Sequence, residues 1–468
     1  MTTQEQCTQT GDILKRTLGI FDLFTIGFGA IIGVGWAITI GEWFNKGGGP
    51  MPTALAFFVA ALCLIPVAKA YGELTAAMPV AGGAVVYVEK GCNLKMSYYT
   101  GWFLALAYIM LCPWEVIAIA QLLEVFMPFL KNTPLYAIQG YVVYAPSLAL
   151  SLVVCGIVIF ANQKGIDVAV KLQKFLIFGI LLAVLIAGVV SCLKGSLYNI
   201  LPITGKTFLN PKGTFLQGFL SVLAITPFFY SGFDTISQES EECHNGVQKS
   251  HIGWVMSVSI AFAALFYIVV IFIVSISAPW NELLTLSMPA IQLYEAFFSL
   301  NWVTLLIAFA AFCGLVTTLN SFYAAGARVL LALGRSNMIH PSFASINPET
   351  QTPVVANIFV GFITIIGAFL GKSMLLPLTN VCSVGFLFTW LMVAVAALRL
   401  RKLNPNMERP YKIRKTTIII AIIMSLALLS ILIIPGSPGA LSWPFEILIM
   451  LVWLLLGTIQ YRKQTRKP

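Results

Sequence analysis

The stretch GFGAIIGVGWAITIG, at residues 27–41, decides the fold, because it lies in an apolar run of membrane-spanning length and carries five glycines. Closely spaced glycines have two interpretations. They let neighbouring helices approach each other, which Gly29 and Gly33 fit, or they mark backbone that leaves helical geometry. The pair Gly33 and Gly35, in the middle of the run, suits the second interpretation. The sequence leaves both open.

A second apolar run is irregular in a related way. It reads TPFFYSGFDTISQESEE at residues 226–242, where Pro227 removes a backbone donor and Gly232 follows five residues later. Asp234 lies within the same run. An acid inside a membrane span is costly and by default marks a functional site, although Ser231 and Asp234 could instead satisfy the ends of a broken helix.

The composition of the whole chain favours a membrane protein. Of its 468 residues, 59% are hydrophobic and only 10% are charged, with a mean hydropathy of +0.89. A soluble domain carries about 25% charged residues. Apolar runs of about 20 residues must be helices, since lipid offers the backbone no hydrogen-bond partners. We predict twelve spans, which cover residues 20–42, 51–70, 98–127, 143–161, 168–192, 214–238, 251–278, 300–331, 352–371, 374–398, 416–434 and 443–461.

The positive charges predict the orientation. With a cytoplasmic N-terminus, 22 of the 28 Lys and Arg residues fall on the cytoplasmic side of the twelve spans, as in other membrane proteins. We therefore expect a multi-pass protein of the cell membrane with both termini in the cytoplasm. The basic block RLRKLNPNMERPYKIRK at residues 399–415 acts in this interpretation as a topology determinant, and a site for anionic lipid is the alternative.

The two interrupted spans are numbers 1 and 6, five apart. This spacing predicts an inverted repeat of five helices plus five, followed by two extra helices. Broken helices expose N–H groups on one half and C=O groups on the other, so a zwitterionic amino acid fits between them. The predicted organisation is a cytoplasmic segment 1–19, repeats 20–192 and 214–398, a basic cytoplasmic loop 399–415, helices 11 and 12 at 416–461 and a cytoplasmic tail 462–468.

Five motifs in order resemble the amino acid–polyamine–organocation permeases, which include bacterial amino-acid permeases and antiporters. The motifs are GAIIGVGW, YGELTAAMPVAGGAVVYVEKG (residues 71–91), FFYSGFD, NSFYAAGARVLLALGRSNMIHPSF (residues 320–343) and ERPYKI. The resemblance covers nearly the whole chain. It implies the all-α leucine-transporter fold, with twelve transmembrane helices and a central amino-acid site.

The resemblance also implies the site residues. Gly33, Val34 and Gly35 would offer N–H groups to a carboxylate, while the carbonyls of Ile31, Phe228 and Ser231 would accept from an ammonium. Phe228 falls on a gating aromatic, and Asp234 on the acid that follows the second break. The implied substrate-binding residues are Ile31, Gly33, Val34, Gly35, Cys112, Glu115, Phe228, Ser231, Gly232 and Phe322.

Glu115, in CPWEVIAIA, is the other candidate for coupling or gating beside Phe228 and Asp234. A carboxylate in the side-chain pocket would favour a cationic or hydrogen-bond-donating substrate, or would carry a proton. Its alternative is an acid paired with a neighbouring polar group. The lysine that several family members carry in helix five falls near Ile180 here, which leaves its proton mechanism in doubt.

The combined expectation is a secondary transporter of amino acids or related amines that works by alternating access, as an exchanger or H⁺-coupled symporter. Sodium coupling, with Thr317 and Thr318 as hydroxyl ligands, is the alternative, and a channel is a weaker one. We expect no enzyme, because clustered catalytic groups and an ATP-binding motif are missing. We expect no metal site, cofactor or nucleic-acid partner. Expected partners are the substrate, the lipid bilayer and a second copy in a homodimer.

Overall fold

The computed structural model describes residue 14 and residues 16–138, 140–164, 166–244 and 246–465. Most of the predicted N-terminal segment and the last three residues of the predicted tail therefore lie outside the described residues. The helices and strands are α1 (Ile20–Ile32), α2 (Gly35–Ile38), α3 (Ile40–Gly47), α4 (Pro50–Ala77), α5 (Gly83–Gly91), α6 (Leu94–Phe126), β1 (Pro134–Ile138), β2 (Tyr141–Tyr144), α7 (Ala145–Lys164), α8 (Ile166–Lys194), α9 (Phe215–Tyr230), α10 (Thr235–Glu239), α11 (Lys249–Ser277), α12 (Trp280–Leu283), α13 (Pro289–Phe298), α14 (Asn301–Arg335), α15 (Val354–Ala368), α16 (Leu375–Leu403), α17 (Lys415–Ile433) and α18 (Phe445–Thr465).

The helices are those of a multi-pass membrane protein. Eleven segments of the described chain are long and apolar enough to cross a bilayer. Large apolar side chains on their outer faces are exposed, for example Phe175 at 70% and Leu193 at 80%. The predicted span 352–371 contains α15, whose 15 residues rise roughly 22 Å, short of a hydrocarbon core of about 30 Å. The count of twelve spans and the five-plus-five repeat remain predictions.

The first predicted interruption is a real break in the helix. The chain leaves helical geometry at Gly33, with φ 18° and ψ −149°, and resumes it at Gly35. Gly29 remains helical, and a Cβ there would lie 2.8 Å from Nε2 of Gln173 on α8. Both interpretations of the glycines thus apply, to different residues. A Cβ on Gly314 of α14 would lie 2.3 Å from the Gly33 carbonyl oxygen, so α14 packs directly on the break.

The second break lies between α9 and α10. Ser231 is extended, and Gly232 has φ +123°, a conformation that L side chains rarely adopt. A Cβ on Gly232 would also lie 2.7 Å from the Ile31 amide nitrogen, so the two breaks touch each other. Pro227 stays inside α9, near its end.

We call the side of the molecule that carries β1 and β2 the hairpin face, and the side where residue 16 lies the terminal face. On the terminal face, α16 continues to Leu403, so the basic segment expected as a loop begins as a helix. Arg401 donates from Nε to Oε1 of Glu73 at 3.0 Å, and the Ile413 amide donates to Oε2 at 2.9 Å. Arg409 adds a salt bridge of 3.5 Å to the same carboxylate, which is fully buried. Part of the basic block therefore ties α4 to α16.

Four elements were missed by the sequence analysis. Helix α5 forms in the predicted connection after span 2, and α12 and α13 form in the predicted connection before span 8. The fourth is a hairpin, which corrects the all-α prediction at this segment. Its strands pair Tyr136 with Val143, and Gly140 between them has φ +81°. Aromatic and β-branched residues around a glycine turn favour extended pairing over a helix.

Candidate functional site

A small cavity of about 20 Å³ lies between the two helix breaks. Its walls come from α1, α2, α6, α9, α11 and α14, and from Gly33 between α1 and α2. This volume suits about one water molecule, so the side chains around the site leave no room for an amino acid. Six of the ten predicted substrate-binding residues line it, namely Ile31, Gly33, Gly35, Glu115, Phe228 and Phe322.

The other four predicted residues lie beside the cavity rather than in its lining. Cys112 donates its thiol to the Tyr108 carbonyl oxygen at 3.4 Å. The Ser231 hydroxyl donates to the Phe228 carbonyl oxygen at 2.6 Å, and the Gly232 amide donates to Asp234. The Val34 amide precedes the first hydrogen bond of α2, so helix geometry gives it no partner within that helix.

Glu115 is the acid that faces the cavity. It is 2% exposed, and its Oε2 has no hydrogen-bond partner in the described part of the protein. A buried carboxylate without a partner is strongly disfavoured unless a proton or a cation neutralises it. The geometry therefore suits a group that binds a proton, an ammonium or another donor.

Asp234 has a different environment. Its Oδ2 accepts from the Tyr108 hydroxyl at 2.7 Å and from Nε1 of Trp390 at 3.3 Å. Its Oδ1 accepts from the Gly232 amide at 3.0 Å. Three donors satisfy this carboxylate, and it is absent from the cavity lining. Its contacts are those of a group that holds the second break in shape.

Tyr267 of α11 joins the two broken helices. Its hydroxyl lies 2.6 Å from the Ile31 carbonyl oxygen and 2.9 Å from that of Phe229, so one proton serves the ends of α1 and α9. Two of the three predicted ammonium acceptors, Ile31 and Phe228, thus already accept a hydrogen bond from the protein. A carbonyl has two lone pairs, so the Ile31 oxygen keeps room for a second donor. The Phe228 oxygen also accepts from the Ser231 amide at 3.3 Å, so both of its lone pairs are in use.

Aromatic rings close the cavity toward the hairpin face. The ring centroids of Trp114 and Phe228 lie 5.3 Å apart. The Trp114 indole N–H lies 3.1 Å from both the Leu375 carbonyl oxygen and Oγ1 of Thr379, at the start of α16. The hydrogen bonds to α16 hold the indole of this ring pair in place.

Comparison with known proteins agrees with this architecture. A family model described as an amino acid permease matches residues 18–456. The chain belongs to the amino acid permease family. The resemblance to the amino acid–polyamine–organocation superfamily is thereby confirmed.

Three relatives are similar along most of their length. The branched-chain amino acid permease BcaP of Bacillus subtilis (strain 168) is 25% identical, over 97% of this chain and 94% of its own length. The cationic amino acid transporter 6, chloroplastic, of Arabidopsis thaliana is 26% identical, over 86% and 68% respectively. The methylthioribose transporter of Bacillus subtilis (strain 168) is 23% identical, over 97% and 94%.

In this permease, polar side chains link α1 to α8 and α14 on the terminal-face side of the cavity. Nε2 of Gln173 donates to the Thr25 carbonyl oxygen at 3.1 Å and to the Ser321 hydroxyl at 3.2 Å. The hydroxyls proposed as sodium ligands donate to backbone instead, Thr318 to Gly29 at 3.3 Å and Thr317 to its own helix. Ile180, near the position of the family lysine, is buried.

The permease is also closed at its terminal face. Arg328 and Glu242 form a buried ion pair at 2.5 Å, and Arg335 pairs with Glu241 at 3.1 Å. The Thr17 amide donates to the Glu242 carbonyl oxygen at 2.9 Å, which ties the N-terminal segment to the end of the second broken helix. These contacts hold α14 against the segment that follows α10.

Sequence reasoning missed Tyr267, Trp114 and Gln173. Each is a single polar or amphipathic side chain within a long apolar run. Its isolated polarity was the only feature of the sequence that could have marked it as a functional residue. Their partners lie far away in the chain, with 236 residues between Tyr267 and Ile31. A one-dimensional pattern cannot supply such pairings.

Proposed function

We propose that this permease is a secondary transporter that moves an amino acid or related amine by alternating access, as an exchanger or an H⁺-coupled symporter. The observation that carries the proposal is the unpartnered carboxylate oxygen of Glu115 in a closed cavity between two helix breaks. A buried carboxylate without a partner is stabilised when a proton or a donor ligand binds to it, as a transported ligand would do in each cycle.

The substrate backbone is proposed to bind at the breaks. Its carboxylate would accept from the amides of Gly33, Val34 and Gly35, where α2 begins. Its ammonium would donate to the carbonyls of Ile31 and Ser231 near the ends of α1 and α9. The substrate side chain would then extend toward Glu115 and the aromatic pair.

Glu115 favours a side chain with a positive charge or a hydrogen-bond donor. Names of relatives include both branched-chain and cationic amino acids, so the family covers both classes. For a neutral substrate, the same carboxylate would instead carry the coupled proton. Sodium coupling is the second candidate, supported by the nearness of the Thr318 hydroxyl to the first break, where a Cβ on Gly33 would lie 2.7 Å from its oxygen.

Alternating access requires both barriers to open in turn. A 20 Å³ cavity holds no amino acid, so the Trp114–Phe228 pair must separate toward the hairpin face. The Arg328–Glu242 pair must separate on the other side. We place the hairpin face outside the cell and both termini in the cytoplasm of the cell membrane, following the positive-charge asymmetry. A homodimer through α17 and α18 remains part of the proposal.

Counterflow into proteoliposomes tests this function. Vesicles preloaded with unlabelled L-leucine, L-arginine or L-lysine should accumulate the same labelled amino acid, because exchange needs no energy source. Repeating uptake with an imposed pH gradient and with or without Na⁺ separates the coupling modes. Absence of counterflow for every amino acid and amine, with a continuous ion current instead, would contradict the proposal and favour a channel.

A further inference from the structure

Two larger cavities lie toward the hairpin face, beyond the aromatic barrier. One has a volume of about 570 Å³ and the other about 300 Å³, against about 20 Å³ at the central site. Ligand pockets in proteins span roughly 300–1,000 Å³. Gln121, Tyr141 and Lys372 line both cavities, so the two spaces meet around these side chains. We call this region the outer chamber.

Gln121 gives the outer chamber a buried polar group without a partner among the described residues. Its side chain is only 7% exposed, and neither Nε2 nor Oε1 has a hydrogen-bond partner in the described part of the protein. Leaving a buried amide without partners costs about 1–3 kcal/mol per unsatisfied group, so this residue is a poor choice for packing alone. Its amide group can donate through two N–H groups and accept through its carbonyl oxygen when a ligand enters.

Charges of both signs surround this amide. Lys372 is exposed to the chamber, with Nζ 5.8 Å from the centroid of the Tyr141 ring. Glu42 lines the larger cavity, to which Lys372 also contributes. A ligand with both an anionic and a cationic end matches this pairing better than a simple ion.

The outer chamber also borders the route to the central site. Gln121 follows Glu115 by six residues on α6, which is roughly 9 Å along the helix. Leu375 lines the larger cavity, and its carbonyl oxygen accepts the indole N–H of Trp114, the barrier residue. A ligand in the chamber therefore lies next to the group that must move to admit it.

We propose that the outer chamber is a second amino-acid site, in which Lys372 binds the α-carboxylate, Glu42 the α-ammonium and Gln121 the remaining polar groups. The ligand is the transported zwitterion, held before it passes Trp114. This inference rests on the proposed function, since it assigns the chamber the same substrate class as the central site.

Binding stoichiometry tests the second site directly. The labelled amino acid with the fastest counterflow among L-leucine, L-arginine and L-lysine serves as the probe in equilibrium binding to purified protein. We expect two molecules per wild-type protein and one for Lys372→Met or Gln121→Leu. Lys372→Arg keeps the charge and should retain both. Lys212→Met is the matched control, because Lys212 is exposed and lines neither cavity.

Uptake kinetics give a second readout. Lys372→Met should raise the KM for external substrate roughly 10-fold or more, because a charge-assisted hydrogen bond is lost, while the maximal rate stays near wild type. Wild-type protein that binds one molecule, with an unchanged KM in Lys372→Met, would overturn the second site yet leave the transporter intact. Absence of counterflow for all substrates would instead refute the proposed function. Because Lys372 is exposed, this variant remains informative even where Gln121→Leu does not fold.

Discussion

Replacing Tyr267 by Phe tests how the broken helices are held and where the substrate ammonium binds. The hydroxyl serves the carbonyls of Ile31 and Phe229, and the residue is 1% exposed. Phenylalanine keeps the ring contacts with Phe57 and Trp43, whose centroids lie 4.9 and 5.9 Å away, so no cavity opens. The tyrosine hydroxyl has one proton, so it donates to only one of these two carbonyl oxygens at any moment. The substitution therefore leaves one buried acceptor without its donor. The free energy of unfolding should fall by about 1–3 kcal/mol.

The same substitution should strengthen the response to substrate. In the wild type, the Ile31 carbonyl oxygen would accept hydrogen bonds from both the tyrosine hydroxyl and the substrate ammonium. In Tyr267→Phe, the ammonium becomes the principal donor to that carbonyl. The extra stabilisation by substrate should be about 1 kcal/mol, which corresponds to roughly fivefold tighter binding. Thermal unfolding of purified protein, with and without the transported amino acid, measures both effects.

Tyr230→Phe is the matched control for this experiment. The Tyr230 hydroxyl donates to the Phe57 carbonyl oxygen at 2.9 Å, and its side chain is buried but does not line the cavity. It should lose similar stability without a changed response to substrate. Equal substrate responses in the two variants, or a weaker one in Tyr267→Phe, would refute the placement of the ammonium at Ile31.

Three further substitutions have defined outcomes. Glu115→Gln should shift uptake from L-arginine toward L-leucine, or flatten the dependence of uptake on pH between about pH 5 and pH 8. Unchanged uptake of both substrates across this range would dismiss the role of Glu115. Gly232→Ala should abolish counterflow, because φ is +123° and backbone lies within 2.7 Å, whereas Gly436→Ala, at φ +85° in open space, should be tolerated. Glu73→Gln should lower the free energy of unfolding by about 3–5 kcal/mol, because it removes the negative charge that pairs with Arg401. A denaturant midpoint equal to that of the wild type would contradict this ion pair.

Much of the fold could be predicted because its determinants are local. An apolar run must become a helix in lipid, wherever the rest of the chain lies. The breaks at Gly33 and Gly232 were also local signals, because glycine lets the backbone leave helical geometry, although the sequence did not exclude close helix packing as the alternative. Helix ends were predicted less well. Helix α4 continues to Ala77 rather than ending near residue 70, because its last two turns are buried against other helices instead of lipid.

The candidate site could be predicted in part, since the predicted side chains of Glu115, Phe228 and Phe322 line the cavity together with the glycines of the first break. Broken helices create free backbone donors and acceptors, and the family resemblance implied which glycines and which carbonyl, that of Ile31, would supply them. The ring partner of Phe228, Trp114, was not predicted, because the indole is held by the start of α16, which lies 261 residues away in the chain. Local sequence specifies where a helix breaks, and tertiary packing decides which side chains meet there.

Glu115 and Asp234 illustrate why this distinction matters for function. In the sequence, both are acids inside apolar spans, and both were candidates for coupling. Tyr108 and Trp390, which come from α6 and α16, give Asp234 its side-chain donors. Glu115 Oε2 has no such partner within the described residues. A carboxylate whose hydrogen bonds are complete would lose them on binding substrate, whereas an unpartnered one only gains, so Glu115 is the acid to which we assign the contact with the substrate or the coupled proton.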